Sequence, residues 1–130
     1  FRRVDVMELP LELDVTVGGM LAGTLPGSWW RNLSVGSSHG LMVALVAYVH
    51  GSGEDLARGR TIAGTGKIHA DGAVGSIGDL RAKATAARRA GADVLLFPAQ
   101  QAARLDGFDA GEMQLVGVTS LDAAIEALRR

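Results

Sequence analysis

Two segments about forty residues apart carry the side chains best suited to chemistry. Gly36-Ser37-Ser38-His39-Gly40-Leu41-Met42 offers a serine at the mouth of an apolar stretch. Gly75-Ser76-Ile77-Gly78-Asp79-Leu80-Arg81-Ala82-Lys83-Ala84 sets a lysine among small apolar residues. A serine hydroxyl is a weak nucleophile until a base takes its proton, and a neutral amine can be that base and later return the proton to a leaving group. Ser38 and Lys83 together suggest a Ser-Lys dyad, which needs no histidine.

The lysine argument rests on helical periodicity. At 100° per residue, Leu80, Ala82, Lys83, Ala84, Ala86, Ala87 and Ala90 form one arc, and Arg81, Thr85, Arg88 and Arg89 form the other. Lys83 then stands near the centre of the apolar arc, where lost hydration disfavours the ammonium and lowers its pKa. The same pattern also fits a lysine that snorkels past small alanines to solvent. Ser38 has two readings as well. It fits a plain helix N-cap, and it fits a nucleophile beside the positive end of a helix, where free backbone N–H groups can hold an oxyanion.

These side chains need elements to hold them. Leu11, Leu13, Val15 and Val17 alternate with Glu12, Asp14 and Thr16, which predicts a strand. Residues 18–37 are rich in Gly, Pro, Asn and Ser and carry Trp29-Trp30, which predicts a long irregular connection with room for a short strand. The run from Ser38 to His50 is apolar nearly all round and predicts a buried helix, capped by Ser38 and stopped at Gly51. Asp71-Gly72 predicts the turn of a β-hairpin spanning Arg60–Val74. A helix over Asp79–Ala90 ending at Gly91, a buried strand within Ala92–Pro98 and a short helical piece over Gln100–Leu105 follow. A strand over Met113–Val118 and a helix opening at Thr119-Ser120-Leu121-Asp122 complete the chain.

Composition sets the frame. In 130 residues the hydrophobic share is 48%, the charged share 21%, and there are 18 glycines, so one domain over 1–130 with its own core is expected, of α/β (α+β) class with a hairpin, small mixed sheets and three main helices. Thirteen basic against fourteen acidic residues give a net charge of −1, which argues against nucleic acid or anionic lipid as partner. With no cysteine there is no disulfide, thiolate metal site or cysteine nucleophile. The longest apolar run, Leu41–Val49, is roughly half of the ~20 residues that span a bilayer. A start at Phe1 without a signal-like segment suggests a trimmed piece of a longer protein, and leaves cytoplasmic and membrane-anchored locations open.

The ordered set of motifs resembles the proteolytic domain of Lon proteases and their ATP-independent, PDZ-associated Lon-like relatives. That family's nucleophile motif runs G-P-S-A-G before apolar residues, and Gly36–Met42 aligns Ser38 with its serine. Its second signature runs T-G-x-I, a D-G-like turn, V-x-x-I-G-G, the lysine helix, A-G-A and an apolar strand to proline. Thr65-Gly66-Lys67-Ile68, Asp71-Gly72, Val74–Asp79, Lys83, Ala90-Gly91-Ala92 and Val94–Pro98 follow it in register. The resemblance covers Ser34–Arg130 well and Leu11–Val17 loosely.

It implies a serine endopeptidase acting on proteins or unfolded polypeptides, with Ser38 as nucleophile, Lys83 as base and acid, and Thr65 as a hydroxyl supporting the lysine. It also implies a homo-oligomer, often a hexameric ring, and no cofactor or metal, with an anchor or PDZ domain upstream as an option. Ser37 replaces the family's proline and His39 its alanine, placing a bulky ionisable ring beside the serine. Asp79 replaces the second glycine, where it suits a cap. Lys67 stands where ATP-dependent members often carry an acid, and if close would depress Lys83 further. Gly66-Lys67 lacks the rest of a phosphate-binding loop, so ATP-driven work is not expected of this chain.

The rivals are weaker or less specific. His39, His50 and His69 lie in no triad-type context, and their spacings match no compact metal motif. A different class of reading is a catalytically silent domain that oligomerises or binds peptides, with Trp29-Trp30 as contact residues.

Overall fold

A computed structural model describes residues 38–130 and, ahead of them, the backbone of three two-residue strands: β1 (Glu8–Leu9), β2 (Thr16–Val17) and β3 (Met20–Leu21). Of the alternating segment Leu11–Val17, only Thr16–Val17 is described, and it pairs antiparallel with Met20–Leu21, the short strand expected inside 18–37. The rest of that segment, Trp29-Trp30 and Ser37 lie outside the described residues.

The remaining elements run α1 (Gly40–Ser52), β4 (Ile62–Gly64), β5 (Lys67–Ile68), β6 (Val74–Gly75), α2 (Leu80–Arg89) and β7 (Val94–Pro98). A 3-10 helix (Ala99–Leu105), β8 (Gln114–Val118) and α3 (Leu121–Arg129) follow. The main sheet has the order β1-β4-β7-β8, with β1 antiparallel to β4 and the other neighbours parallel. Parallel neighbours cannot be joined by a tight turn, so α2 crosses from β4 to β7.

Side chains of a strand alternate in direction, and this sheet is covered on both faces. Ile62, Val94, Leu96, Val116 and Val118 join a core with α1 and α3, through Leu41, Met42, Leu45, Val46, Ile125 and Leu128. Ala63, Leu95, Phe97 and Leu115 point the other way, to a second core with Leu80, Ala84 and Ala87 of α2 and Leu105 of the 3-10 helix. Burial on both sides explains why Val-Leu-Leu-Phe-Pro reads as one unbroken apolar run. This is the α/β layering expected, with three α-helices and small mixed sheets among the described residues.

Three boundaries differ from expectation. First, the predicted Arg60–Val74 hairpin is shorter: β5 and β6 form it alone, with Lys67 opposite Gly75 and Ile68 opposite Val74. Its turn closes through Gly72 N–H to His69 O at 2.9 Å, with Gly72 at φ 88°. Ile62–Gly64 belongs to the main sheet instead, because its three residues are fully buried and pair with β7.

Second, α1 runs through Gly51 and stops at Gly53, which takes the left-handed conformation (φ 74°) and donates its N–H to Val49 O. Third, α2 is one residue shorter at each end than predicted. At the far end, Ser120 caps α3 as expected by accepting the Ala123 N–H at 3.0 Å.

The ends of α1 and α3 are clamped by one polar cluster. Arg129 donates to both carboxylate oxygens of Glu54 (2.7 and 2.9 Å), and Tyr48 donates its hydroxyl to the same carboxylate at 2.6 Å. Hydrogen bonds from these two partners, the arginine's effect being the larger, hold the Glu54 pKa down to about 2. Among the described residues no helix is long and apolar enough to cross a membrane.

Candidate active site

Ser38 and Thr65 meet just past the end of β4. Thr65 follows the last residue of β4 and donates its N–H to Leu96 O of β7 at 3.0 Å, which extends the sheet pairing by one step. The chain then reverses direction toward α1. Gly66 donates its N–H to Ser38 O at 2.9 Å, and Leu41 donates its N–H to Gly66 O, also at 2.9 Å. This backbone lacing fixes the Ser38 segment across the carboxyl end of the sheet. It needs a glycine, since a Cβ on Gly66 would stand 2.9 Å from Val74 Cγ1.

Ser38 is therefore held by its carbonyl. It was expected to cap α1, but the N-cap is His39, in right-handed helical conformation and without a side-chain capping bond. The carbonyl bond to Gly66 sets Ser38 one residue ahead of the cap. Its Oγ makes no hydrogen bond among the described residues. Of the backbone N–H groups at the helix start, that of Leu41 is already taken by Gly66 O.

Thr65 is 2% exposed and donates its hydroxyl to Ser38 O at 3.4 Å, a long and weak bond. Its hydroxyl thus lies on the serine side. No hydrogen bond joins it, or Ser38 Oγ, to Lys83 Nζ among the described residues.

Lys83 lies on α2, half-buried, and desolvation pushes its ammonium below the ordinary lysine pKa while the Asp79 carboxylate pulls it back up. Its place on the helix differs from the reading above. The buried stripe is Leu80, Ala84 and Ala87, and Ala82 is exposed, so Lys83 flanks the stripe rather than centring it. Alanine misled the periodicity argument, because its single methyl group costs little on either face.

His39 brings the two segments into one electrostatic neighbourhood. Burial, and then the positive charge of Lys83, lowers its imidazole pKa. Lys67, offered as a second cation beside Lys83, sits instead in the hairpin. The charge that acts on Lys83 is Asp79, with the opposite sign.

Asp79 does occupy the N-cap of α2, but its side chain makes no capping bond and its backbone is left-handed (φ 54°). A side chain seldom takes that conformation, which accounts for glycine at the corresponding family position. What anchors the start of α2 lies elsewhere and was missed from sequence. Gln101 of the 3-10 helix, 9% exposed, accepts the Ile77 N–H on Oε1 at 2.9 Å and donates Nε2 to Ile77 O at 2.8 Å. Its neighbour Gln100 donates to Ser76 Oγ at 3.1 Å. Two adjacent glutamines look alike in a sequence, and only the packing distinguishes the buried one.

Residues 34–128 match the family model for the Lon protease (S16) C-terminal proteolytic domain, a span that takes in Ser38, Thr65, Lys83 and nearly all of α3. No curated protein matches the chain.

Proposed function

The chain belongs to the family of Lon protease (S16) C-terminal proteolytic domains, a serine protease family, and from that premise we propose that it hydrolyses peptide bonds through a Ser38-Lys83 dyad. The observation that carries the reading is the half-buried Lys83, whose ammonium burial destabilises and whose charge reaches His39, the residue after Ser38.

In this reading the neutral Nζ of Lys83 takes the Ser38 proton as Oγ adds to the substrate carbonyl carbon. The backbone N–H of Gly40, at the positive end of α1, is the candidate donor to the oxyanion. Lys83 then returns the proton to the departing amine. A water deprotonated by Lys83 next attacks the acyl ester and releases Ser38. Thr65 steadies the lysine when substrate draws the two segments together, since hydrogen bonds at an empty site are often long and tighten in the complex.

Substrates are proteins or unfolded polypeptides, and the working form is a homo-oligomer, with a hexameric ring as the expected assembly. In this reading no step uses ATP bound to this chain, since Gly66-Lys67 lacks the rest of a phosphate-binding loop. The bulky ring of His39 beside Ser38 is expected either to alter specificity or to impair catalysis.

A second reading is a silent domain that oligomerises or binds peptides. The lack of a hydrogen bond between Ser38 Oγ and Lys83 Nζ among the described residues favours it. A serine-directed peptidyl phosphonate decides between the two. Adduct on Ser38, located by mass spectrometry and lost in both Ser38→Ala and Lys83→Ala, supports the dyad. No adduct on a folded, oligomeric sample supports the silent domain.

A further inference from the structure

We propose that Gln101 is a positioning residue for this protease: its side-chain amide fixes the backbone of the loop before α2, and so sets the height and rotation at which that helix presents Lys83. The inference rests on the dyad reading above, and its test does not depend on turnover.

The loop Ser76-Ile77-Gly78-Asp79 is the only covalent lead into α2 from the hairpin, and it contains two conformationally permissive points. Gly78 carries no side chain, and a Cβ there would meet nothing within 4 Å. Asp79 is left-handed, with its side chain not engaged in capping. Such a lead does not by itself define where a helix begins. Gln101 supplies the missing constraint. Its amide pairs with both the N–H and the C=O of Ile77, the arrangement a neighbouring strand would offer, from 24 residues away.

The pairing is buried on the protein side, and Ile77 itself is 7% exposed in the core shared with Leu80, Ala84, Ala87, Leu95 and Phe97. Losing the amide would strand a buried donor and a buried acceptor together, and the loop would shift to find water. Lys83 lies one turn into the helix, its N–H bonded to Asp79 O at 3.0 Å. Any shift of the loop therefore reaches it directly.

The geometry also explains a division of labour between adjacent residues. Gln100 bonds an exposed serine hydroxyl, Ser76, which water can replace. Gln101 bonds a backbone that water cannot reach without opening the core. Only the second is expected to control Lys83.

The chain has two lysines, Lys67 and Lys83, so selective 13C labelling of lysine gives two signals, and Lys67→Arg identifies the one from Lys83. Titration by NMR on the full chain would follow the wild type, Gln101→Leu and Gln100→Ala, with thermal unfolding recorded beside each. In Gln101→Leu, the Lys83 midpoint is expected to rise toward the ordinary lysine value of 10.5, and Gln100→Ala leaves it in place. Should Gln101→Leu not fold, Gln101→Met decides, because it removes both partners of Ile77 at a similar length and adds no charge. An unchanged Lys83 midpoint in a folded variant overturns the proposal, whatever the phosphonate experiment says of the dyad. A silent domain with a Lys83 midpoint that follows Gln101 would retain the positioning and sink only the dyad.

Discussion

His39, at the N-cap of α1, and Lys83, on α2, lie close enough that the lysine's charge lowers the histidine's pKa, after burial, which is the larger cause. The two residues are 44 positions apart and sit on helices that cover opposite faces of the sheet. Lys83→Met removes the charge and leaves the burial. The His39 midpoint is then expected to rise, yet to stay below 6.5, as read from imidazole signals by NMR. An unmoved midpoint would show the two groups to be too far apart to couple.

Activity is expected to increase with pH as Lys83 gives up its proton, because only the neutral amine accepts the one on Ser38. The limb lies below the ordinary lysine value of 10.5, since burial moves the midpoint down. A peptide substrate assayed from mildly acidic to alkaline pH gives the profile. A flat profile, or full activity in Lys83→Met, would remove Lys83 from the chemistry.

The same burial has a consequence for stability. A lysine with a lower pKa folded than unfolded binds fewer protons in the native state between those two values, so stability rises with pH across that window. Below the window the folded state carries the full cost of a half-buried ammonium. Lys83→Met is therefore expected to melt higher than wild type near neutral pH. The advantage narrows as pH climbs toward 10.5. Melting curves at a series of pH values test the sign, and a lower melting temperature at neutral pH would contradict it.

Asp79→Gly sets two effects against each other. Relief of a left-handed residue is worth about 1 kcal/mol, and loss of an acid at a helix start costs about 0.3–1 kcal/mol. Stability should change little. The Lys83 midpoint is a better readout: without the carboxylate that holds it up, it should fall, and the pH–rate limb should move to lower pH with it. A limb that moves up would contradict the sign assigned to Asp79.

Thr65→Val keeps the shape of a side chain that is 2% exposed and removes its hydroxyl. The 3.4 Å bond to Ser38 O is weak, so a stability loss of about 1 kcal/mol is the upper expectation. If Thr65 steadies Lys83 in the complex, kcat falls by more than that loss explains, and Thr65→Ser restores it. Equal kcat in Thr65→Val would confine the hydroxyl to structure.

How far the sequence reached depended on the kind of signal. The buried strand Val94–Pro98 and the Ser120 cap were legible because each follows from local chemistry: unbroken apolarity closed by proline, and a hydroxyl before a helix. The extent of the hairpin was not, because Ile62–Gly64 and Lys67–Ile68 are consecutive in sequence and belong to different sheets. That division is decided by β7, thirty residues on. The N-cap was misplaced by one residue for a similar reason, since the Ser38 carbonyl is claimed by Gly66. Lys83 was found through a family signature and a periodicity, and the periodicity overstated its depth because alanines weigh the same on either face. Gln101 left no trace at all in the local pattern.

The two cores have one further consequence. The serine segment is carried by the layer of α1 and α3, and the lysine by the layer of α2. Neither layer contains both halves of the proposed pair. A chain caught midway through folding, with one layer in place, would hold a hydroxyl without a base or an amine without a target. On the proposed mechanism, the reactive arrangement therefore arises only once both layers have closed on the sheet.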